Sequence, residues 1–298
     1  MTGLIIFGEG LVLSPFFISF NAHVIPLKAG VSMNPFTMRS KLLHLIIAIV
    51  GCLTIAGCDR TTEELQSQSP SDYIPLQVGK YITYRLDSTV FTSFGTGVAV
   101  HSYQEKHIVD AKFTDALGRD SYRILRFTRD TAGTQPWAPS GAYSITPIEN
   151  TIEVIENNLR FIKLVKPVKQ DNTWKGNRFL PDDAFSPVYN FSIVDAGMAD
   201  WDYTYTSTGD AVTIKGKTYS DVITVDAVDL VDNANENNST VINTNTVASV
   251  NQVQDKYSKN LGLVYQKFFM WEYQPPNGSN STGAKIGFGI VRSIIDHN

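Results

Sequence analysis

Cysteine, histidine and surplus basic charge are all scarce in this chain of 298 residues. Its two cysteines, Cys52 and Cys58, exclude a disulfide-rich scaffold, and with five histidines they leave little for a Cys/His metal site. Lys and Arg number 25 against 29 Asp and Glu, so the formal net charge is −4 and no basic surplus is present to neutralise phosphates. We therefore expect no metal, no cofactor and no nucleic-acid partner.

Common catalytic sequence patterns are also missing. The chain has no Gly-x-Ser-x-Gly elbow, no His-Glu-x-x-His helix and no Gly-rich phosphate loop. His101 and His107, six residues apart on one strand, would lie roughly 20 Å apart, too far to share a metal ion. Adjacent Asp182 and Asp183 are typical of a solvated loop, and Asp232–Thr240 lacks the Gly and the closing Glu of a calcium loop. We predict that the protein is not an enzyme.

An export signal begins at Met38. Basic residues precede an apolar run, Leu45 to Ala56, that is too short to cross a bilayer comfortably as a helix, and small residues follow up to Cys58. This order predicts a secretory signal peptide. The alternative is a transmembrane anchor with an incidental cysteine, which the short run and its Gly-Cys ending disfavour.

The segment Ile55–Cys58 resembles the lipobox of bacterial lipoproteins. The resemblance implies that residues 38–57 are removed, that Cys58 becomes a diacylglyceryl-cysteine, and that the acyl chains make the membrane a partner, with the outer membrane the expected location. Residues 58–72 are polar and predict a flexible tether. Residues 1–37 either precede the true start at Met33 or Met38 or form a second apolar hairpin.

From residue 73 onward the pattern is that of β-strands. Between Lys80 and Phe91, apolar Ile82, Tyr84 and Leu86 alternate with polar Thr83 and Arg85. A period of two is typical of a half-buried strand, so the first three should face the core. Thr83 and Arg85 should then face solvent or the open side of the sheet.

Similar segments recur through residue 298, with Gly, Asn and Pro clusters between them that predict turns, including one at residues 208–210. Predicted strands are Val98–Asp110, Ser121–Arg129, Thr151–Ile155, Arg160–Val165, Trp201–Thr206, Tyr219–Val231, Val241–Val253, Leu263–Tyr273 and Ile286–Ile295. Helical spacing is nearly absent, with weak candidates at 182–185 and 196–200.

The predicted fold is all-β. It is an antiparallel meander, either one curled sheet, a half-barrel, or two packed sheets, with few short helices. Residues 73–298 are expected to form a single domain, unless residues 169–200 join two β lobes.

Two short motifs resemble uncharacterised β-rich lipoproteins of Bacteroidota. Residues 75–84 read Pro-Leu-Gln-Val-Gly-Lys-Tyr-Ile-Thr-Tyr, and residues 257–264 read Tyr-Ser-Lys-Asn-Leu-Gly-Leu-Val. Tyr81 stands where those proteins usually have Trp. The resemblance implies fold and compartment rather than activity, and the general pattern is also similar to the half-barrels of lipoprotein carriers such as LolA.

The aromatic residues are the remaining functional lead. Trp201, Tyr203, Tyr205 and Trp271 could stack on a glycan or line a lipid cavity, or they could simply pack the core. Two functions follow: a non-catalytic envelope lipoprotein that binds a protein or envelope component, or a carrier for a hydrophobic ligand or glycan. An apolar cavity on the order of several hundred Å³ would favour the carrier, and a filled core the first function.

Overall fold

The structure, a computed structural model, describes residues 68–235, 239–278 and 281–298. The predictions for residues 1–37, for the signal peptide 38–57, for Cys58 and for most of the tether 58–72 lie outside these residues.

Antiparallel strands dominate the described residues, which confirms the predicted fold class. The strands are β1 (Tyr81–Thr92), β2 (Gly97–Thr114), β3 (Asp120–Asp130), β4 (Ala138–Ile148), β5 (Thr151–Glu156), β6 (Leu159–Val165), β7 (Thr173–Lys175), β8 (Asp202–Ile214), β9 (Lys217–Asp232), β10 (Ala234–Asn235), β11 (Thr240–Val241), β12 (Ala248–Ser258), β13 (Gly262–Gln274) and β14 (Ala284–His297). Short 3-10 helices occupy Pro70–Tyr73, Ser93–Gly95 and Met198–Asp200. In this part of the chain no helix is long and apolar enough to cross a membrane.

Twelve strands form one sheet, in the order β6-β5-β4-β3-β2-β1-β14-β13-β12-β9-β8-β7, and β10 pairs with β11 separately. The sheet curls until it is nearly closed into a barrel. Its two edge strands are in contact. Ile162 N of β6 donates to Gly176 O at 2.7 Å, and Trp174 Nε1 of β7 donates to Ile162 O at 2.9 Å. The curled sheet is therefore the correct alternative, and residues on both sides of the segment 169–200 belong to it.

Three local features differ from the prediction: one strand was missed, one turn was misplaced, and the predicted strand Val241–Val253 is interrupted between Val241, where β11 ends, and Ala248, where β12 begins. Strand β4 was not predicted, because Pro139, Gly141 and Pro147 make its sequence look like a loop. Residues 208–210, predicted as a turn, lie inside β8, where the pairing with β9 shifts register instead. The chain turns at Lys215 and Gly216, whose φ angles of +50° and +82° suit a tight hairpin.

Strand β1 follows the predicted faces except at one residue. Tyr84 and Leu86 are buried as predicted, and Ile82 is half-buried. Thr83, predicted to be on the solvent or open side, is only 3% exposed. The register between β1 and β14 shifts between Thr83 and Tyr84, but the extra residue is Ile295 of β14, and β1 pairs with β2 without a shift. Thr83 and Tyr84 therefore still lie on opposite faces, and the burial of both shows that β1 is covered on both faces at this point.

A long loop, residues 177–200 between β7 and β8, packs onto one face of the sheet; we call it the plug. Its Leu180, Val194 and Met198 form a buried cluster with Met270 of β13. On the same strand Gln266, Phe268, Met270 and Glu272 alternate with residues of the opposite face. The plug therefore occupies the side of β13 on which Gln266 also lies. Within it, residues 182–185 form a turn and the 3-10 helix covers part of the predicted 196–200.

The side chain of Glu272 anchors the plug. Its fully buried carboxylate accepts backbone N–H groups from Ser192 at 2.8 Å, Ile193 at 2.9 Å and Val194 at 3.3 Å. Asn251 of β12 donates its side-chain amide to Val194 O at 2.8 Å. Irregular backbone can be buried here because these side chains satisfy its polar groups.

Candidate functional site

A cavity of about 140 Å³ lies against the same face of the sheet as Gln266. Cross-strand partners such as Val109 and Ile124, or Ile145 and Val154, lie opposite each other in the ladder and so share this face. The apolar side of the cavity is lined by Ile82, Val109, Ile124, Ile145, Val154 and Leu263, and by Ile74, Pro75 and Leu76 from the segment before β1. The polar side is lined by Tyr84, His107, Tyr143, Glu156, Lys163, Gln266 and Arg292.

The polar side includes part of a chain of hydrogen-bonded side chains, four charged groups and one amide, which we call the ion chain: Glu105, Arg292, Gln266, Asp255 and Lys163. Arg292 Nε donates to Glu105 Oε2 at 2.6 Å, and its Nη1 donates to Gln266 Oε1. Gln266 Nε2 donates to Asp255 Oδ1 at 2.7 Å, and Lys163 Nζ donates to Asp255 Oδ2 at 3.1 Å. The chain links five strands, and its Lys163–Asp255 pair joins β6 to β12, which are far apart in the sheet order. Only the curling of the sheet brings these side chains together.

His107 extends the ion chain from Glu105. Its Nε2 lies 3.0 Å from Glu105 Oε2, and its Nδ1 lies 3.0 Å from the hydroxyl of Tyr143. An ionised carboxylate can only accept, so Nε2 carries the proton and Nδ1 accepts from Tyr143. The ring of Tyr84 meets the imidazole edge-on at 5.1 Å between centroids. His107 is therefore held in one tautomer.

Burial and ion pairing compete at these groups. Burial alone would raise the pKa of Glu105, but the hydrogen bond from His107 and the charge of Arg292 outweigh it and hold that pKa well below its usual range. Burial lowers the pKa of His107, and Glu105 only partly offsets this. Burial would lower the pKa of Lys163, yet the Asp255 carboxylate raises it above its usual value. Near neutral pH Glu105 and Lys163 are therefore charged and His107 is neutral.

A third ion pair lies beside the cavity. Arg126 Nη1 donates to Glu156 Oε1 at 2.5 Å, and the guanidinium lies 5.9 Å from the ring centroid of Tyr143. Arg126 Nε is buried without a hydrogen-bond partner among the described residues. Arg126, Lys163 and Arg292 thus balance Glu105, Glu156 and Asp255, and the three ion pairs together carry no net charge.

The structure does not bring the four predicted aromatic residues together. Tyr203 and Tyr205 are buried in the main core, where their hydroxyls donate to Asn177 Oδ1 at 2.9 Å and to Val165 O at 2.8 Å. Trp271 is buried in a separate cluster with Val250. Trp201 is half-buried between the main core and the plug. All four lie outside the lining of the cavity.

The other candidate residues are also dispersed. His101 is exposed, whereas His107 of the same strand is largely buried. Asp182 and Asp183 are exposed in a turn of the plug. Within the described ranges, no three His, Cys, Asp or Glu side chains are grouped so that they could hold a metal ion.

Comparison with known proteins adds little. No family model and no curated protein matches the chain. Among solved structures it is similar to a Bacteroides fragilis protein described as exported, with a YMCC-like fold, at 11% identity and a TM-score of 0.31 over 75% of this chain and 99% of that chain. It is also similar to a DUF1329 family protein from Desulfovibrio piger, at 9% identity and a TM-score of 0.17 over 75% and 87% of the two chains. Likeness at this level supports no functional argument.

Proposed function

We propose that the protein is a non-catalytic, lipid-anchored protein of the bacterial cell envelope whose β domain binds a small envelope molecule in the cavity. The observation that carries the binding proposal is that one cavity is lined by an apolar wall on one side and by charged and polar groups on the other. Ligand sites typically combine a mostly apolar lining with a few placed polar groups. The predicted signal peptide, the lipobox-like segment and the predicted tether support the location in the cell envelope.

The size of the cavity limits the ligand. About 140 Å³ is less than the roughly 300–1,000 Å³ typical of sites for drug-sized ligands, and it would not hold a diacyl lipid. An engineered cavity of about 150 Å³ in another protein binds benzene. The cavity therefore matches neither of the two alternatives that the sequence suggests, because the interior is neither filled nor a wide apolar carrier pocket.

Fractionation of cells that express the full chain tests the anchor. Cys58→Ser should move the protein from the membrane to the soluble fraction, because the acyl chains could no longer be attached to it. Cys52→Ser, a change of the same kind six residues earlier in the chain, should leave it membrane-bound. A Cys58→Ser protein that stays in the membrane at the native level would contradict the anchor.

A second function, docking of a partner protein, is favoured by the tip between β1 and β2. Phe94 is fully exposed there, and it and Ser93 have φ angles of +57° and +51°, which non-glycine residues adopt at some energetic cost. A photo-crosslinking amino acid at position 94 should then give a discrete adduct in intact cells. The same amino acid at Leu117, an exposed residue in another hairpin, is the control. Equal labelling at both positions would contradict the docking function.

A further inference from the structure

The cations and the anions of the ion pairs contribute unequally to the lining of the cavity. Three cations contribute to the lining: Lys80, which donates to Asn298 O at 2.8 Å, and Lys163 and Arg292, whose counter-anions Asp255 and Glu105 do not line the cavity. Glu156 is the one carboxylate of the three ion pairs that lines the cavity, and it is paired with Arg126. The charges of the three ion pairs cancel, but the polar part of the cavity lining contains more cations than anions.

The anions and the cations of the site also differ in how much of their hydrogen-bonding capacity is used. Asp255 already accepts from Lys163, Gln266 and Tyr257, and Glu105 accepts from Arg292 and His107. Lys163 has three N–H donors and Arg292 has five. Among the described residues Lys163 donates to Asp255, and Arg292 donates to Glu105 and Gln266. The anions are occupied, and the cations retain donors.

We propose that the ligand is a small amphipathic carboxylate: its anionic group accepts from Arg292 and Lys163, and its apolar body lies against Ile124, Ile145 and Val154. This inference rests on the proposed function of the cavity and names the class of ligand. The cavity volume suits one six-membered ring or a short branched chain. Guanidinium groups pair well with carboxylates because two parallel N–H donors match two oxygens.

Charge balance predicts that the protein takes up a proton when the carboxylate binds. The three buried ion pairs cancel, so a bound carboxylate would leave one negative charge without a counter-charge. His107 is the neutral titratable group beside them, and it faces Glu105, Tyr143 and the ring of Tyr84, with Arg292 and Arg126 nearby. Protonation of His107 would restore neutrality. The carboxylate should therefore bind more tightly as pH falls through the range in which His107 titrates in the complex.

Equilibrium dialysis of the full-length protein in detergent micelles, against protein-free micelles, tests the inference with benzoate and with benzyl alcohol as its neutral counterpart. Benzoate should bind at one site per chain, at least tenfold more tightly than benzyl alcohol and severalfold more tightly at pH 6 than at pH 8. Arg292→Lys keeps the charge but loses the planar pair of donors, and it should weaken benzoate binding about tenfold and benzyl alcohol binding clearly less.

Two substitutions of equal size locate the site. Val154→Phe fills the cavity without removing a charged group and should abolish binding, whereas Val100→Phe, at a residue that is 61% exposed, should not change it. Circular dichroism of both variants checks that they fold. Equal binding of benzoate and benzyl alcohol, lost in Val154→Phe, would overturn the carboxylate inference and leave the proposed cavity function standing. Absence of binding by either probe would overturn both, and binding that survives Val154→Phe would place the site elsewhere and overturn both. A benzoate affinity independent of pH would overturn the role of His107.

Discussion

The plugged half and the cavity half of the barrel interior use the same strands in opposite ways. On β13, Met270 meets apolar side chains of the plug and Glu272 binds its backbone, whereas Gln266 joins the ion chain beside an open space. Filling an interior with apolar side chains is the more stable solution, because replacing buried ion pairs by packed hydrophobic residues is often neutral or stabilising. The cavity half therefore gives up stability, which is the pattern expected of a binding site.

The largest expected effect comes from breaking the ion chain at Lys163. Lys163→Met leaves the 1%-exposed Asp255 carboxylate without its counter-charge. Removing one partner of a buried ion pair costs about 3–5 kcal/mol, and we expect that loss in the free energy of unfolding measured with urea.

A second substitution shows whether the loss is due to the charge or to packing. Asp255→Asn keeps the size of the side chain and removes the unpaired charge, so Lys163→Met/Asp255→Asn should regain most of the lost stability. If the double variant is no more stable than Lys163→Met, the ion chain holds the fold by packing, and the contrast between the two halves is wrong.

In the plugged half the sensitive residue is Glu272. Glu272→Gln keeps one acceptor oxygen but turns an N–H-bearing group toward backbone donors, so we expect a loss of about 2–3 kcal/mol. Hydrogen exchange should accelerate at residues 192–194 and remain unchanged at β2. Glu149→Gln, at an exposed carboxylate in the turn before β5, is the matched control. Uniform acceleration across the sheet would mean that the plug is not a separate unit.

Sequence patterns locate most of the sheet because a curled sheet with one buried face imposes a period of two on each strand. The segments around Ile82 and Tyr203 show that period, and the structure places them in β1 and β8. Strand β4 was missed because two prolines and a glycine make it look like a loop, and the burial of Thr83 was missed because alternation along β1 cannot show that its second face is covered as well.

The cavity could not be predicted in the same way. Arg292 and Glu105 are 187 residues apart in sequence and Lys163 and Asp255 are 92 apart, and each looks like an ordinary polar residue of a strand. A weak signal does exist. Lys163 lies two residues after Phe161, and Gln266 two residues before Phe268, so both interrupt the apolar face of their strand. Such interruptions suggest polar groups in an interior without revealing which of them meet.

A smaller effect concerns pH. The pKa of His107 is lowered in the folded protein, by burial first of all, so the unfolded chain takes up a proton below about pH 6.5 while the folded chain does not. Stability should therefore be fully present above that pH and decrease as pH falls toward the lower folded pKa, by at most about 1.4 kcal/mol per pH unit.

Urea unfolding at pH 7.5 and 5.5 tests this, because both values lie one unit or more above the ordinary pKa of Glu105, 4.5, so that its carboxyl stays mostly ionised in the unfolded chain as well. In His107→Gln the difference in stability between the two pH values should shrink. His101→Gln, at an exposed histidine on the same strand, is the control and should behave like the parent protein. A parent protein with the same pH dependence as His107→Gln would show that His107 is not buried as the neutral form.

The smallest expected effect is at Thr83, which is buried and whose hydroxyl has no hydrogen-bond partner among the described residues. Burying such a group without a partner is unfavourable, so Thr83→Val, which replaces the hydroxyl by a methyl group of similar size, should raise the free energy of unfolding by up to about 1 kcal/mol. Leu86→Ala, three residues along on β1, removes a side chain that is 9% exposed and should lower it by about 2–5 kcal/mol. Urea midpoints give both values. A loss of stability in Thr83→Val would mean that the hydroxyl is hydrogen-bonded. The protein would then keep a paired polar group buried on β1, as it does in the cavity half.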